Sequence, residues 1–235
     1  MSAGPSGVLV IDKPEGITSM GVCRRVRGKL VAGGAPKRVK VGHGGTLDPL
    51  ATGVLVVLVG KATRLCERVM AGEKRYLAGV DLLRRSTTDD REGETTEVNV
   101  LTPPTEAHLR EALAKFVGTI MQAPPAYSAI KVAGERAYRM ARAGRAPELA
   151  PRPVAIHSID VVDYRFPVVT LDVRCGKGVY IRSLARDLGA AVTGAGMLLS
   201  LRRTQVGQFR IEDARRLADL PDPMSEADLL PVPAG

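Results

Sequence analysis

The sequence predicts an α+β domain whose mixed, mostly antiparallel central sheet is flanked by helices, and three observations lead there. Short apolar runs bounded by Gly and Pro interleave irregularly with amphipathic segments, unlike the regular strand-helix alternation of a doubly wound fold. Two of the runs, residues 154–164 and 168–174, are close enough in sequence to form a hairpin. The 235-residue chain is 45% hydrophobic and 25% charged, an ordinary globular composition with length enough to bury a core. No internal repeat of fixed period is present.

Taken in order, residues 7–11 (GVLVI) form a short apolar strand that stops at Lys13-Pro14 and Gly16. Thr18 or Ser19 then caps a helix running to about residue 30, which carries Arg24, Arg25, Arg27 and Lys29. Residues 31–53 hold Gly and Pro without periodicity and read as a long loop, a kind of segment that usually carries function. Residues 54–59 (VLVVLV) have the unbroken branched-apolar pattern of a strand buried on both faces. A helix over 61–70 ends at Gly72. A strand over 74–83, a polar loop over 84–97 and a helix over 106–117, with Gly118 as its stop, come next. Pro124-Pro125 break the chain, and a short helix over 134–143 closes at Gly144. After the hairpin come a helix over about 180–191, a strand near 197–202, a helix near 213–220 and a Pro-rich end. The expected division is one domain over residues 1–215 with a short tail over 216–235.

Several function classes fall away. The longest apolar run, residues 54–59, is far short of the roughly 20 residues that cross a bilayer, so no membrane association is expected. The N-terminus lacks the basic and apolar regions of a secretory signal. Cys23, Cys66 and Cys175 form no C-x-x-C pair and leave an odd thiol, which suits a reducing compartment and a cytoplasmic location. His43, His108 and His157 stand far apart, so no metal site is expected. Gly60-Lys61 lacks the glycine spacing of a phosphate loop, and no G-x-S-x-G elbow occurs.

Charge gives the positive lead. The chain carries 34 basic and 25 acidic side chains, a net charge of +9. Residues 1–80 hold 13 basic and 5 acidic groups and residues 109–210 hold 16 and 7, whereas residues 81–108 and 211–235 are net acidic. Two basic stretches of this kind suit a chain whose halves fold together around one polyanion with the acidic stretches turned away from it, or ordinary solvated faces. Five Tyr, three Phe and no Trp are too few aromatics for serial base stacking along a single strand.

The densest constellation is residues 42–53, GHGGTLDPLATG, running directly into the apolar strand. Its glycines allow close backbone approach to a ligand, and Pro49 fixes the chain beside Asp48. On the residues alone Asp48 reads either as a turn-capping carboxylate or as a reactive one. This segment closely resembles the GHxGTLDPLATG motif of the TruB-type tRNA pseudouridine synthases. Residues 12–19 (DKPEGITS) resemble the family's DKPxGxTS, residues 74–76 its KRY, and residues 122–131 (QAPPAYSAIK) its QxPPxYSAxK. Residues 175–189 (CGKGVYIRSLARDLG) resemble CSKGTYIRxLxxDLG, and residues 201–203 the family's LRR. The blocks keep family order from residue 8 to about 210. One departure is Thr87, which stands where TDTxDxxG usually has Asp. The chain stops just after residues 226–232 (EADLLPV), which resemble the end of the family's catalytic domain, so its C-terminal PUA-like domain is expected to be absent.

The resemblance implies the pseudouridine synthase fold with an active-site cleft across the sheet. It implies isomerisation of the T-loop uridine of tRNA, usually position 55, with no cofactor and no metal. Asp48 would be the catalytic carboxylate, as nucleophile or on a glycal-forming path, with Arg182 as its ion-pair partner. Tyr76 would stack on a flipped uracil, His43 would fill the space that base leaves, and Tyr180 and Leu201 would line the pocket. By composition Leu201 reads equally as core, Arg182 as a helix-surface cation, and Lys13 and Lys131 as backbone support or phosphate contacts. The partner implied is the T-arm of tRNA, with neither DNA nor an obligatory protein partner, and the chain is expected to be a monomer. Two rivals are the related guide-RNA-dependent synthases, disfavoured by DPLATGVL, and a tRNA-folding chaperone whose catalysis is dispensable.

Overall fold

The unbroken apolar run entering at Thr52 is buried on both faces, and a strand of that kind must be covered by neighbours on either side. The computed structural model of the chain describes residues 4–128, 130–132 and 134–232, without the side chains of Lys131 and Arg136. Its elements are β1 (Gly7–Lys13), α1 (Ser19–Ala32), β2 (Val41–His43), β3 (Thr52–Val59), α2 (Cys66–Ala71), β4 (Lys74–Asp81), β5 (Arg84–Ser86) and β6 (Thr95–Glu97). There follow α3 (Glu106–Ala114), β7 (Gly118–Gln122), β8 (Lys131–Val132), β9 (Glu135–Arg136), α4 (Ala137–Arg142), β10 (Arg152–Arg165) and β11 (Val168–Cys175). The chain ends through α5 (Ile181–Val192), β12 (Met197–Val206), β13 (Phe209–Arg210) and β14 (Arg215–Arg216). The class is mixed α+β with mostly antiparallel pairing, as the sequence predicts. The chain divides into two compact units, Met1–Tyr76 with Arg202–Gly235, and Leu77–Leu201.

In the first unit β3 pairs antiparallel with β1, from Gly7↔Val59 to Lys13↔Gly53, and antiparallel with β2. At its start β3 also pairs parallel with β12, through Arg202↔Thr52 and Arg203↔Gly53. Because strand side chains alternate, odd and even residues bury on opposite faces. Leu9, Ile11, Leu55, Val57 and Val59 pack against Val22, Cys23, Val26 and Leu30 of α1. Val8, Val10, Val54, Val56 and Leu58 pack with Ala62 and Val206, joined by Cys66 and Val69. Each such burial stabilises by about 1.5–3 kcal/mol relative to exposure. The last residues belong here too: Leu217, Leu220 and Met224 join the α1 side, and Leu230 bridges to Val8.

The second unit centres on the long antiparallel pair β10 and β11, with β7 alongside β10. α3 lies against α5 and β10. Several sequence expectations need correction: residues 31–53 and 84–97, expected as loops, hold β2 and the β5–β6 pair, and the helix expected over 134–143 is confined to Ala137–Arg142. Residues 61–70 begin as a 3-10 helix over Gly60–Leu65 before turning α-helical. The expected helix over 106–117 ends at Ala114, and Gly118 opens β7 instead of stopping a helix. The expected helix near 213–220 does not form. Arg215 and Arg216 pair with Ile11 and Asp12 as β14, and Leu217–Asp219 is a single 3-10 turn. An eight-residue amphipathic pattern is too short to hold as a helix against strand pairing with β1.

Candidate active site

The segment between β2 and β3 carries Asp48, and three side chains buried beneath it fix its backbone. Ser19, first residue of α1, accepts from the Leu47 N–H at 2.8 Å and donates to the Leu47 carbonyl at 2.9 Å. Thr18 caps that helix by accepting from the Gly21 N–H. Lys13 is wholly buried, and its ammonium donates to the carbonyls of Pro14, Ile17 and Pro49 at 2.9, 2.8 and 3.2 Å. The Gly16 N–H shares the Pro49 carbonyl at 2.8 Å. Arg203, 2% exposed, donates to the carbonyls of Val54, Thr46 and Gly45 at 2.8, 3.3 and 3.2 Å. A buried charge without such partners would destabilise by several kcal/mol, so these carbonyls are what makes the burial tolerable.

Asp48 itself is half-buried, and its carbonyl accepts from the Ala51 N–H at 3.1 Å, closing the turn that Pro49 begins. With Leu47 tied on one side and Pro49 on the other, the carboxylate is aimed by a rigid backbone. Gly53 follows with φ of +97°, and a Cβ there would lie 2.2 Å from the Arg203 carbonyl oxygen. A Cβ on Gly44 would lie 2.3 Å from Val69 Cγ1. Gly44 and Gly53 are therefore set by close packing, whereas a Cβ on Gly42 would meet nothing within 4 Å.

His43 closes β2, and its carbonyl accepts from the Cys66 thiol at 3.4 Å. Burial pushes the imidazole below its ordinary pKa, and the Arg203 charge adds to that, so the ring is held neutral. Its Nδ1 is buried without a hydrogen-bond partner among the described residues. Tyr76, buried on β4, is the last residue of this unit's first segment.

The second unit holds Tyr180, Arg182 and Leu201. Arg182 sits in the first turn of α5 and is buried, which removes the helix-surface reading. Its bonds include the carbonyls of Thr88 at 3.1 Å and Tyr127 at 2.9 Å, with the Asp90 carboxylate at 3.5 Å. Asp90 is buried too, and accepts from the Glu92 N–H at 3.0 Å and from the Thr88 hydroxyl. One turn along α5, Arg186 pairs with Asp89 at 2.8 Å. Burial raises the Asp89 pKa, against the pull of Arg186. Tyr180 caps α5; Gln122 bonds both its N–H (2.8 Å) and its carbonyl (3.1 Å), and Arg152 lies 5.5 Å over its ring. Leu201 is buried. The backbone of Lys131 pairs with Arg136 in β8–β9, while its side chain lies outside the described residues. Among the described residues no three His, Cys, Asp or Glu side chains come together as a metal site.

A family model described as TruB family pseudouridylate synthase (N terminal domain) matches residues 34–181. Proteins called tRNA pseudouridine synthase B are 44% identical over 95% of this chain and 73% of their own in Arthrobacter sp. (strain FB24), and 47% identical over 96% and 74% in Gluconacetobacter diazotrophicus. The chain belongs to the TruB family of pseudouridylate synthases. Pseudouridine synthesis is an isomerisation, and membership places this chain among the isomerases that perform it. Among solved structures, a Cbf5-Nop10-Gar1 complex is 29% identical with a TM-score of 0.69, and an H/ACA RNP bound to a substrate RNA containing 2'-deoxyuridine is 27% identical with a TM-score of 0.67. Each match covers 91% of this chain, which spans about half the length of those chains (53% and 52%). They share its fold.

In this TruB-family chain, sequence reasoning passed over Ser19, Arg203, Asp90 and Gln122, each inside a quoted motif or beside one. Period-two alternation along residues 201–203 puts Arg203 on the same face as Leu201, a signal that a buried cation stood there. Nothing comparable marks Asp90, whose burial depends on α5 arriving from distant sequence. Thr87 at the departure from the family pattern closes the β5–β6 hairpin: its N–H donates to the Glu94 carbonyl at 3.1 Å, and its hydroxyl accepts from the Glu94 N–H at 3.2 Å. An Asp carboxylate would accept that second bond equally well.

Proposed function

We propose that the chain isomerises one T-loop uridine of tRNA, position 55, to pseudouridine, as a cytoplasmic monomer without a cofactor. The N1–C1′ bond breaks, the base turns, and a bond forms between C5 and C1′; the proton lost at C5 is matched by the one gained at N1. A uridine stacked in a folded loop must first be flipped out, which takes roughly a few kcal/mol and is offset by phosphate contacts. Asp48 is the reacting carboxylate and Arg182 its counter-charge, a role suited to a guanidinium locked by backbone carbonyls. Tyr76 is the planar face offered to the base, and Tyr180 and Leu201 line its pocket. His43, neutral and with a buried unpartnered nitrogen, is suited to replacing stacking without bringing a charge. Lys13 acts here through the Pro49 carbonyl, positioning the turn rather than touching RNA.

The observation that carries this reading is Asp48 on a turn immobilised from both sides, inside the GHGGTLDPLATG motif of a TruB-family chain. The test is pseudouridine formation in an unmodified tRNA transcript, mapped to single nucleotides, by wild type and by Asp48→Asn. Modification of one T-loop uridine by wild type alone, with tRNA binding retained by the variant, is the expected result. Pseudouridine made by Asp48→Asn would sink the assignment of Asp48. Binding without modification by wild type would replace the enzyme by a tRNA-binding chaperone.

A further inference from the structure

Between Glu15 and Asp48 the chain carries seven basic side chains and no acidic one. Lys29 is answered by Asp222 at 3.1 Å, and Arg27 is half-buried with its guanidinium 3.5 Å from the Val41 carbonyl. The other five are Arg24 and Arg25 on α1 and Lys37, Arg38 and Lys40 in the segment leading to β2. All five are exposed, and among the described residues none has an ion-pair partner. Several exposed arginines elsewhere are paired, Arg110 with Glu106, Arg84 with Glu97, Arg165 with Asp163 and Arg216 with Asp219, whereas the five here fall together in one stretch that holds no carboxylate.

Local rules would not place charge this way for stability. Arg25 and Lys29 are four residues apart on one helix, a spacing at which like charges weaken it. The first turn of α1 holds no carboxylate to complement the helix dipole. A sequence that breaks such rules without a packing gain usually does so for function. The packing of α1 is complete without these groups, since Val22, Cys23, Val26 and Leu30 form its buried face. The stretch is also anchored to the candidate site within the same unit. Ser19 at one end bonds Leu47, and β2 at the other runs through His43 into the Asp48 loop.

We infer that this face docks the phosphate backbone of the paired tRNA stem flanking the target loop. The inference rests on the tRNA reading proposed above. α1 has 14 residues, about 21 Å at 1.5 Å per residue, long enough to meet several successive phosphates of a duplex. An A-form stem presents phosphates and 2′-hydroxyls rather than a readable major groove, which suits cations without base-reading partners. The face therefore contributes affinity and orientation, and leaves the choice of uridine to the site.

Two full-length double variants test it, Arg24→Glu/Arg25→Glu and Lys37→Glu/Arg38→Glu, each beside its Gln/Gln counterpart as a milder change that keeps the fold. Binding of an unmodified tRNA transcript is measured across a KCl series, with pseudouridine formation at saturating tRNA. Removing one cation from a phosphate lowers the slope of log affinity against log salt by about 0.7–0.9. Charge reversal should weaken binding about tenfold at moderate salt and reduce that slope by about one to two, with turnover at saturation within about twofold of wild type. Unchanged affinity and slope would overturn the inference, as would a fall in turnover at unchanged affinity. Wild-type turnover in the same assay separates the two readings: if wild type makes pseudouridine while the variants bind as it does, only the docking face fails.

Discussion

At His43 two neighbours act in one direction. Burial disfavours the imidazolium, and the Arg203 guanidinium repels it. An unfolded histidine takes up its proton near pH 6.5, whereas the folded one resists until lower pH. Above that pH the group contributes nothing to pH dependence, and as pH falls below it the unfolded chain gains a proton that the folded chain refuses, so stability is lost. Thermal unfolding of wild type from about pH 7 to about pH 5 should therefore fall more steeply than that of His43→Gln; parallel curves would show that the ring is not held neutral. The dense motif around Asp48 marks that residue as a candidate from sequence alone, whereas the support beneath its turn is not legible there. Lys13 reads equally as backbone support or a phosphate contact, and Arg203 only as part of the LRR block. Only the fold shows that six backbone carbonyls surround their charges.

Among the elements, β3 carries the sharpest constraint. Its second residue pairs with Arg203 on β12 in a left-handed conformation that only glycine adopts easily. Gly53→Ala would strain that backbone and drive a methyl into the Arg203 carbonyl, and should destabilise by about 3 kcal/mol in urea unfolding. A loss below about 0.5 kcal/mol would mean the two strands part freely there. Strands with strong patterns were placed well from sequence: β3 gained two residues on its expected start, and β10 and β11 match the expected hairpin closely. The misses were short elements without a pattern of their own. β7 (GTIMQ) has mixed polarity and becomes a strand by pairing with β10. β14 is two arginines, whose pairing with β1 depends on residues about 200 positions away.

Across the whole molecule, net charge and family reading make one prediction together. On the proposed reading, a chain of net charge +9 that docks a paired stem and one flipped base should need little of tRNA beyond the T-arm. An isolated T-arm hairpin should bind within about tenfold of whole tRNA at equal salt, and much weaker binding would place essential contacts elsewhere on the RNA. The buried Lys13 amine has a different consequence, for chemistry done on the protein itself. Bonded to three carbonyls and closed to solvent, it cannot meet an acylating reagent while the turn around Pro49 stays shut. Its labelling rate thus becomes a clock for local opening: each opening of the segment next to Asp48 uncovers one amine, while the surface lysines react from the start.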